Sequence, residues 1–366
     1  VASLGKEEYL NEKYFEKVYQ QLLLHLQDLL IDLEATTKGD IWLISPNVHK
    51  DAYKAKNQLG PLWYWKNGME TFKLYSPTTR KTSLISNTDF VPTWLQSFHI
   101  KEDTKSISSV LQIEETKDWS YDKFQYRLEE IHTVFKSRAV VLSTYVSTLV
   151  ILLLIVSGMI LFLKEKVGKN IISFILLSAV LSPFLFLITS PIIRFTEPLL
   201  YVLIIILLSV IIAFFVKMLT TFPFSTVCFL FSFMMCFDVL VGGYFIERSY
   251  LGFDPIIGAR YYGIGNEYAG VFIASSILML SPIISLQKKK LTFIILIFTS
   301  FLLIVLLGAS TFGANAGASF SIVIVFLFVV YQMWLKKYPI FIQLFLTLLL
   351  FLFMFALLYF LLLAQP

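Results

Sequence analysis

Acidic, basic and aromatic side chains are concentrated in one short stretch of an otherwise apolar half of the chain. The stretch runs from residue 247 to residue 270 and ends in the sequence GARYYGIGNEYAG. Arginine binds phosphate oxygens through charge-assisted, often bidentate hydrogen bonds. A carboxylate beside an acceptor hydroxyl acts as a general base. The composition of the stretch therefore indicates chemistry on an anionic substrate.

The residue types in this region suggest individual roles. The expected catalytic carboxylates are Asp238, in the apolar run just before the stretch, and Glu267. The residues expected to bind substrate are Arg260, Arg248, Tyr261, Tyr262, Asn266 and Asn315. Ionisable groups at membrane depth are costly and often functional, but a local cap or ion pair explains Asp238 equally well. The whole stretch also fits a salt-bridged, glycine-rich loop that orients two helices.

The glycines help to distinguish these roles. Gly263 and Gly265 disfavour a continuous helix across 260–266, so we expect Asn266 to cap a helix that begins near Glu267. The helix dipole favours an ionised carboxylate in the first turn, which points to a structural or ligand-orienting role for Glu267. Arg260 is then the better candidate for a ligand contact.

A second polar cluster, GASTFGANAGAS at residues 308–319, contains Asn315. Its small residues allow close helix approach, and irregular backbone at membrane depth needs protein or water as a partner. We therefore expect the two clusters to face each other. The alternative is that residues 308–319 form an ordinary tight turn.

The composition indicates an integral membrane protein. Hydrophobic residues make up 57% of the chain and charged residues 15%, which is too apolar for a soluble domain. Eight runs are long enough to span a bilayer. The predicted spans are 139–163, 171–190, 198–216, 224–245, 268–287, 291–310, 318–335 and 340–363.

Lysines predict the orientation of these spans. The loops after the first, third, fifth and seventh spans contain nine lysines. The basic residues of the other loops are Arg194, Arg248 and Arg260. Lysine-rich loops are typically cytoplasmic. We expect a multi-pass protein of the cytoplasmic (inner) membrane of a bacterial-type cell, with the N-terminal region, the candidate site and the C-terminus extracytoplasmic. The lysines are topology signals, so no nucleic-acid partner is expected.

The N-terminal third has an α/β pattern. Apolar residues at helical spacing predict a helix over 7–35, and the sequences GDIWLISP (39–46) and GPLWYWKNG (60–68) predict strands. The sequence SNTDFVPTWLQSF (86–98) predicts a short helix with Asn87 or Thr88 as its N-cap.

Residues 15–100 resemble the C-terminal segment of alkaline-phosphatase-superfamily domains, which include phosphoglyceromutase-like and sulfatase-like enzymes. The resemblance lies in the hydrophobic strand, the LGPLWYW strand and the stretch SPTTRKTSLISNTDFVPTWLQSF. The residues in register with the family are Thr78, Thr79, Arg80, Asn87, Thr88, Asp89, Pro92 and Thr93. The resemblance implies a phosphatase-like α/β module.

This chain departs from the active members of that family. The Asp-His metal ligands that the family carries after its strand are replaced by Ser45-Pro46-Asn47, and lysines surround His49. The family's nucleophile lies in an N-terminal half that this sequence does not contain. We therefore expect an inactive module without metal or cofactor, preceded by an upstream segment or completed by a partner chain.

The membrane half resembles the O-antigen ligase and polymerase family. The resemblance lies in YYGIGNEYAGVFIASSILML (261–280) and LLGASTFGANAGASFSIVIV (306–325). Glu267 stands where the family has a second asparagine, and the family's later arginine is absent. The resemblance implies that Arg260 and Arg248 hold a lipid-linked pyrophosphate.

The sequence therefore predicts a polytopic α-helical membrane protein of about eight transmembrane helices with a partial α/β extracytoplasmic N-terminal module. The expected regions are the module (1–100), a linker and amphipathic stalk (101–137) and the transmembrane domain (138–366). The expected function is the handling of lipid-linked glycopolymer or another anionic envelope substrate in contact with membrane lipid. The alternative is a transporter or a non-catalytic scaffold.

The incomplete ligand set predicts that residues 1–137 hold no stoichiometric divalent metal and hydrolyse no phosphomonoester, because metal-assisted hydrolysis needs a complete set of ligands with one open position. Elemental analysis and a phosphomonoesterase assay of purified residues 1–137 check this expectation. One bound metal per chain would contradict it.

Overall fold

The computed structural model describes residues 12–66, 71–100, 108–117, 119–162, 165–258, 260–285 and 289–363. Within these ranges the chain forms α-helices α1–α13 and short strands β1–β5. It divides into two compact units. The first comprises residues 1–74 and 113–119, and the second comprises residues 75–112 and 120–366.

The first unit contains a helix and a small hairpin. Helix α1 spans Glu12–Thr36, and strands β1 (Ile41–Ile44) and β2 (Leu62–Trp65) pair in an antiparallel register from Ile41↔Trp65 to Ile44↔Leu62. The rings of Trp42 and Tyr64 stack across the hairpin at 3.9 Å. A short helix, α2 (Lys50–Lys54), lies between the strands and was not predicted. The two strands are too short to establish a complete α/β domain.

A second sheet has the strand order β4-β3-β5. Its strands are β3 (Phe72–Ser76), β4 (Lys81–Thr82) and β5 (Gln112–Glu115), and the boundary between the units passes through β3 and β5. Tyr75 pairs with Thr82, so residues 77–80 form a tight turn. This turn contains Thr78, Thr79 and Arg80, and Lys81 follows as the first residue of β4.

The predicted short helix is present, but its cap is not the one predicted. A 3-10 turn at Asn87–Asp89 leads into α3 (Phe90–Ser97). Ser86, rather than Asn87 or Thr88, is the N-cap, because it forms a reciprocal capping box with Asp89. The buried Asp89 carboxylate also accepts a hydrogen bond from Ser76 at 2.7 Å. It thereby links β3 to the helix.

The membrane half is a bundle of long apolar helices, which makes the chain a polytopic helical membrane protein. Seven helical segments in the described residues are long and apolar enough to cross a membrane. They are Tyr121–Phe162, Gly168–Ile188, Pro198–Leu219, Pro223–Leu240, Asn266–Ile284, Lys290–Gly308 and Ala316–Leu335. They correspond to the first seven predicted spans. The eighth lies on α13 (Ile340–Leu363), whose described apolar segment, Ile340–Phe353, is shorter.

The corresponding helices are α4 (Tyr121–Phe162), α5 (Glu165–Ile188), α6 (Pro198–Leu219), α7 (Pro223–Leu240), α9 (Asn266–Leu278), α10 (Ser281–Ser285), α11 (Lys289–Gly308) and α12 (Ala316–Val330). Short helix α8 (Tyr244–Arg248) follows α7, and a π-helical turn at Tyr331–Leu335 extends α12.

Helix α4 is longer than a membrane span. It has 42 residues and is therefore about 63 Å long, about twice the thickness of the hydrocarbon core of a bilayer. The predicted stalk from residue 121 is the first part of this continuous helix. Residues 101–107 of the predicted linker lie outside the described residues. Residues 75–112 belong to the same compact unit as the transmembrane helices.

Two loops meet at one end of the bundle, which we call the loop end. It consists of α8, residues 249–258 and 260–265, residues 308–315, and residues 75–100 and 108–112, which we call the segment 75–112. Gly263 has a φ of +83°, and a Cβ atom there would lie 2.2 Å from the carbonyl oxygen of Gly313. Only glycine permits both the left-handed backbone and this close approach.

Replacing Gly263 with alanine should therefore destabilise the loop end by about 2 kcal/mol or more, through strain and displacement of the facing backbone. Gly270→Ala is the matched control, because a Cβ atom at this helical position has no neighbour within 4 Å. Thermal unfolding in detergent measures both variants. Equal stability of the two variants would contradict the close approach.

Candidate functional site

The Asp238 side chain acts as a cap at the loop end. Its carboxylate oxygens accept hydrogen bonds from the backbone N–H groups of Phe245 at 2.9 Å and Ile246 at 2.8 Å, and the side chain is fully buried. The chain reverses between α7 and α8 through Gly242 and Gly243, both with positive φ. Asp238 thus holds α8 against the end of α7. This geometry matches the local-cap alternative and leaves neither oxygen without a partner.

A buried network of ion pairs surrounds Glu247. The Glu247 carboxylate pairs with Lys81 at 2.7 Å and with Arg127 of α4. A second carboxylate, Glu130, pairs with Arg127 at 2.9 Å and with Arg248 at 3.2 Å. These five residues are called the ion network. It joins the segment 75–112, α4 and α8 through three cations and two carboxylates.

The ion network leaves little space for a ligand. Arg248 stacks over the Tyr244 ring at 3.8 Å in addition to its pairing with Glu130. A cavity of 10 Å³ adjoins the network, which is room for about one water molecule. Arg248 was expected to bind substrate, but in this structure its charge is compensated within the protein.

The surroundings of Glu247 control its charge. Burial alone would raise the pKa of this carboxyl, but Lys81, Arg127 and Arg248 outweigh the burial, and the pKa is lowered below its usual value. Glu247 is therefore ionised at neutral pH. Because the folded pKa is depressed, the stabilisation is complete above the unfolded pKa of about 4.3 and is lost as the pH falls towards the folded value.

The two polar clusters of the membrane half face each other, as predicted. Arg260 donates through Nη1 to the carbonyl oxygens of Gly313 at 3.1 Å and Ala314 at 3.0 Å. The backbone N–H of Ile264 donates to the carbonyl of Gly313 at 2.8 Å. Residues 260–264 therefore lie directly against the 308–315 turn.

The two asparagines complete this contact. Asn315 donates to the Ile264 carbonyl at 3.0 Å and to the Asn266 side-chain oxygen at 3.1 Å. Its own oxygen accepts from the backbone N–H of Ala318, so Asn315 caps α12. Helix α9 begins at Asn266 with Gly265 as its N-cap, one residue earlier than expected. Both asparagines thus serve the packing of the two loops.

The remaining predicted residues lie at the edge of this contact. Glu267 lies in the first turn of α9, as expected, and faces Arg138 at 3.4 Å, with 46% of its side chain exposed. Arg138 also donates to the carbonyl of Gly252 at 2.7 Å. Tyr262 lies under the guanidinium of Arg80, whose Cζ atom is 4.0 Å from the ring centroid. Tyr261 is half-buried beside it.

The residues that sequence reasoning missed come from outside the polar stretch. Arg80 and Lys81 belong to the TTRKT sequence, which the resemblance assigned to the phosphatase-like module alone. Arg127 and Glu130 were part of the predicted stalk. Their i, i+3 spacing and opposite charges were a local signal for an ion pair, but not for its partners on α8.

The described residues contain no group of three or more side chains suited to bind a metal ion. His49, the weak candidate ligand near β1, caps α2 by accepting a hydrogen bond from the backbone N–H of Asp51 at 3.3 Å. Comparison with protein-family models, curated proteins and solved structures finds no match to this chain.

The lowered pKa of Glu247 yields a pH prediction. The protein should lose stability as the pH falls below about 4.3, and Glu247→Gln should flatten this dependence. At neutral pH the same variant should cost about 3 kcal/mol, because it leaves the largely buried Lys81 without a carboxylate partner.

Thermal unfolding in detergent between about pH 3 and pH 7 measures the effect. Glu197→Gln, at an exposed position before α6, is the matched control. A parallel pH profile in wild type and Glu247→Gln would show that Glu247 is not the titrating group.

Proposed function

We propose that this chain is a non-catalytic membrane scaffold that holds the segment 75–112 in a fixed position on the loop end of a transmembrane helical bundle. One observation carries the proposal: the ion network joins Lys81 of that segment to α4 and α8. The side chains of Lys81 and Glu247 are only 19% and 10% exposed.

A buried network of this kind defines geometry more than it adds stability. Removing charges from water costs several kcal/mol per ion, and this cost is offset only when the partners are well placed. The segment therefore binds well in one register, with Lys81 opposite Glu247. The neighbouring residue supports the same register, because Arg80 donates to the Ser310 carbonyl at 2.5 Å and stacks on Tyr262.

The contacts of the candidate catalytic residues also support a scaffold. A general base needs an oxygen within reach of its substrate. Both oxygens of Asp238 are held by α8, and Glu267 faces Arg138. Glu267 is the more exposed of the two and remains the candidate base if the chain transfers lipid-linked polymer.

The sidedness is part of the proposal. The lysine-rich loops predict that the loop end and the phosphatase-like module lie outside the cytoplasmic membrane. A scaffold so oriented presents an inactive module of phosphatase-like ancestry to the cell envelope. Helix α1 leaves apolar side chains exposed, including Leu24 at 61% and Ile31 at 55%, which supports the expectation of a partner chain.

A charge exchange tests the scaffold. Lys81→Glu and Glu247→Lys should each release residues 75–97 from the bundle, because each places like charges in contact. The double variant should re-form the pair between positions 81 and 247 in reversed order and regain part of the attachment, because the lysine at position 247 still faces Arg127. Hydrogen exchange of residues 75–97 in the purified full chain measures the attachment. Complementation of a deletion strain of the source organism measures function.

Glu267→Gln distinguishes the two functions. A scaffold tolerates this substitution in the complementation assay, whereas a transferase that uses Glu267 as its base loses activity. Loss of complementation by Glu267→Gln with unchanged hydrogen exchange would contradict the scaffold proposal.

A further inference from the structure

Two arginines from distant parts of the chain meet at the same turn. Arg80 donates to the carbonyl of Ser310, and Arg260 donates to the carbonyls of Gly313 and Ala314. Tyr262 also lies at this turn, because the guanidinium of Arg80 stacks on its ring.

These two arginines differ from the others in the chain. Of the six arginines, Arg127, Arg138, Arg194 and Arg248 each pair with a carboxylate within 4.0 Å. Within the described part of the chain, Arg80 and Arg260 pair with none. Their partners are carbonyl oxygens, which carry partial charges only. The turn therefore gathers two guanidinium groups that have no carboxylate within 4.0 Å in the described residues, and Glu267 acts on the charge of Arg260 only from a greater distance.

Their hydrogen-bonding capacity is also only partly used. A guanidinium has five N–H donors. The bonds from both side chains to the turn use the Nη1 atoms, so the Nε and Nη2 donors remain for other partners in the described structure. Both side chains are half-buried, and each therefore retains access to solvent.

The surroundings of the pair favour an anion at the surface of a membrane. Helices α9 and α12 both begin beside the turn, and a helix N-terminus carries a partial positive charge. Ile257, in the same loop as Arg260, is 67% exposed. Burial lowers the pKa of Arg260, and a bound anion would offset this desolvation. The turn thus combines two guanidinium groups, unused N–H donors and apolar surface.

We propose that Arg80 and Arg260 form a binding site for a phosphate group, with the phosphate of an anionic lipid headgroup as its ligand. Planar guanidinium groups bind phosphate oxygens with paired hydrogen bonds, and Tyr262 adds an aromatic surface next to them. The site rests on the proposed scaffold function, because Arg80 reaches the turn only when the segment 75–112 is in place. The scaffold thereby creates a site that neither part has alone.

Binding to the detergent-purified full chain tests the site. The probes are phosphatidylglycerol, measured by native mass spectrometry, and inorganic phosphate, measured by its effect on thermal unfolding. Arg80→Gln and Arg260→Gln should each weaken phosphatidylglycerol binding about tenfold, as expected for one lost charge-assisted contact. Arg194→Gln is the control, since it removes the same charge from an arginine that already pairs with Glu129 at 2.6 Å.

The two probes identify the source of the phosphate. Binding of phosphatidylglycerol but not of inorganic phosphate supports a lipid ligand. If the two variants lose the binding of both probes equally, the site binds phosphate without lipid selectivity, and the lipid assignment is overturned. Equal binding by wild type, Arg80→Gln and Arg260→Gln, or no binding by wild type, overturns the site itself.

Hydrogen exchange of residues 75–97 separates this proposal from the scaffold. Arg260 belongs to the membrane domain, so Arg260→Gln should weaken binding while the segment remains protected. Loss of binding in Lys81→Glu, with Arg260 intact, is expected because Arg80 leaves the turn. Protection of residues 75–97 from exchange without any lipid binding would agree with the scaffold and overturn the phosphate site.

Discussion

The position of one carboxylate, Glu247, decides how the loop end is assembled. It lies on a five-residue helix that is fixed from behind by the Asp238 cap and receives two cations from other parts of the chain. Without this carboxylate, the three cations Lys81, Arg127 and Arg248 would share the single carboxylate of Glu130. Electrostatic repulsion would then separate the elements that the network joins. The arrangement of α4, α8 and the segment 75–112 is therefore a single cooperative unit.

The transmembrane architecture was predictable because it depends on a local signal. A run of about 20 apolar residues identifies a span without knowledge of its neighbours, and seven of the predicted spans are present. The contact between the two polar clusters was predictable for a similar reason. Irregular backbone rich in glycine and small residues must find partners, and few partners exist at that depth.

The pairing of charges was not predictable, because it depends on three-dimensional neighbours. Lys81 and Glu247 are separated by 166 positions in the sequence, and nothing near either residue identifies its partner. A prediction based on residue type alone therefore treated Arg248 as a ligand contact. In the structure Arg248 neutralises Glu130, while Arg80, which looked like part of a separate module, keeps its charge uncompensated in the described residues.

Helix α4 connects the ion network directly to the membrane-spanning part of the chain. Arg127 and Glu130 are carried on the same unbroken rod as the first membrane span, with no loop between them to absorb movement. A change of bilayer thickness is accommodated by tilting of such a helix. Tilting of an unbroken helix also moves its end outside the membrane, where Arg127 and Glu130 form their ion pairs. The orientation of α4 in the bilayer and the position of the ion network are therefore set by one and the same helix.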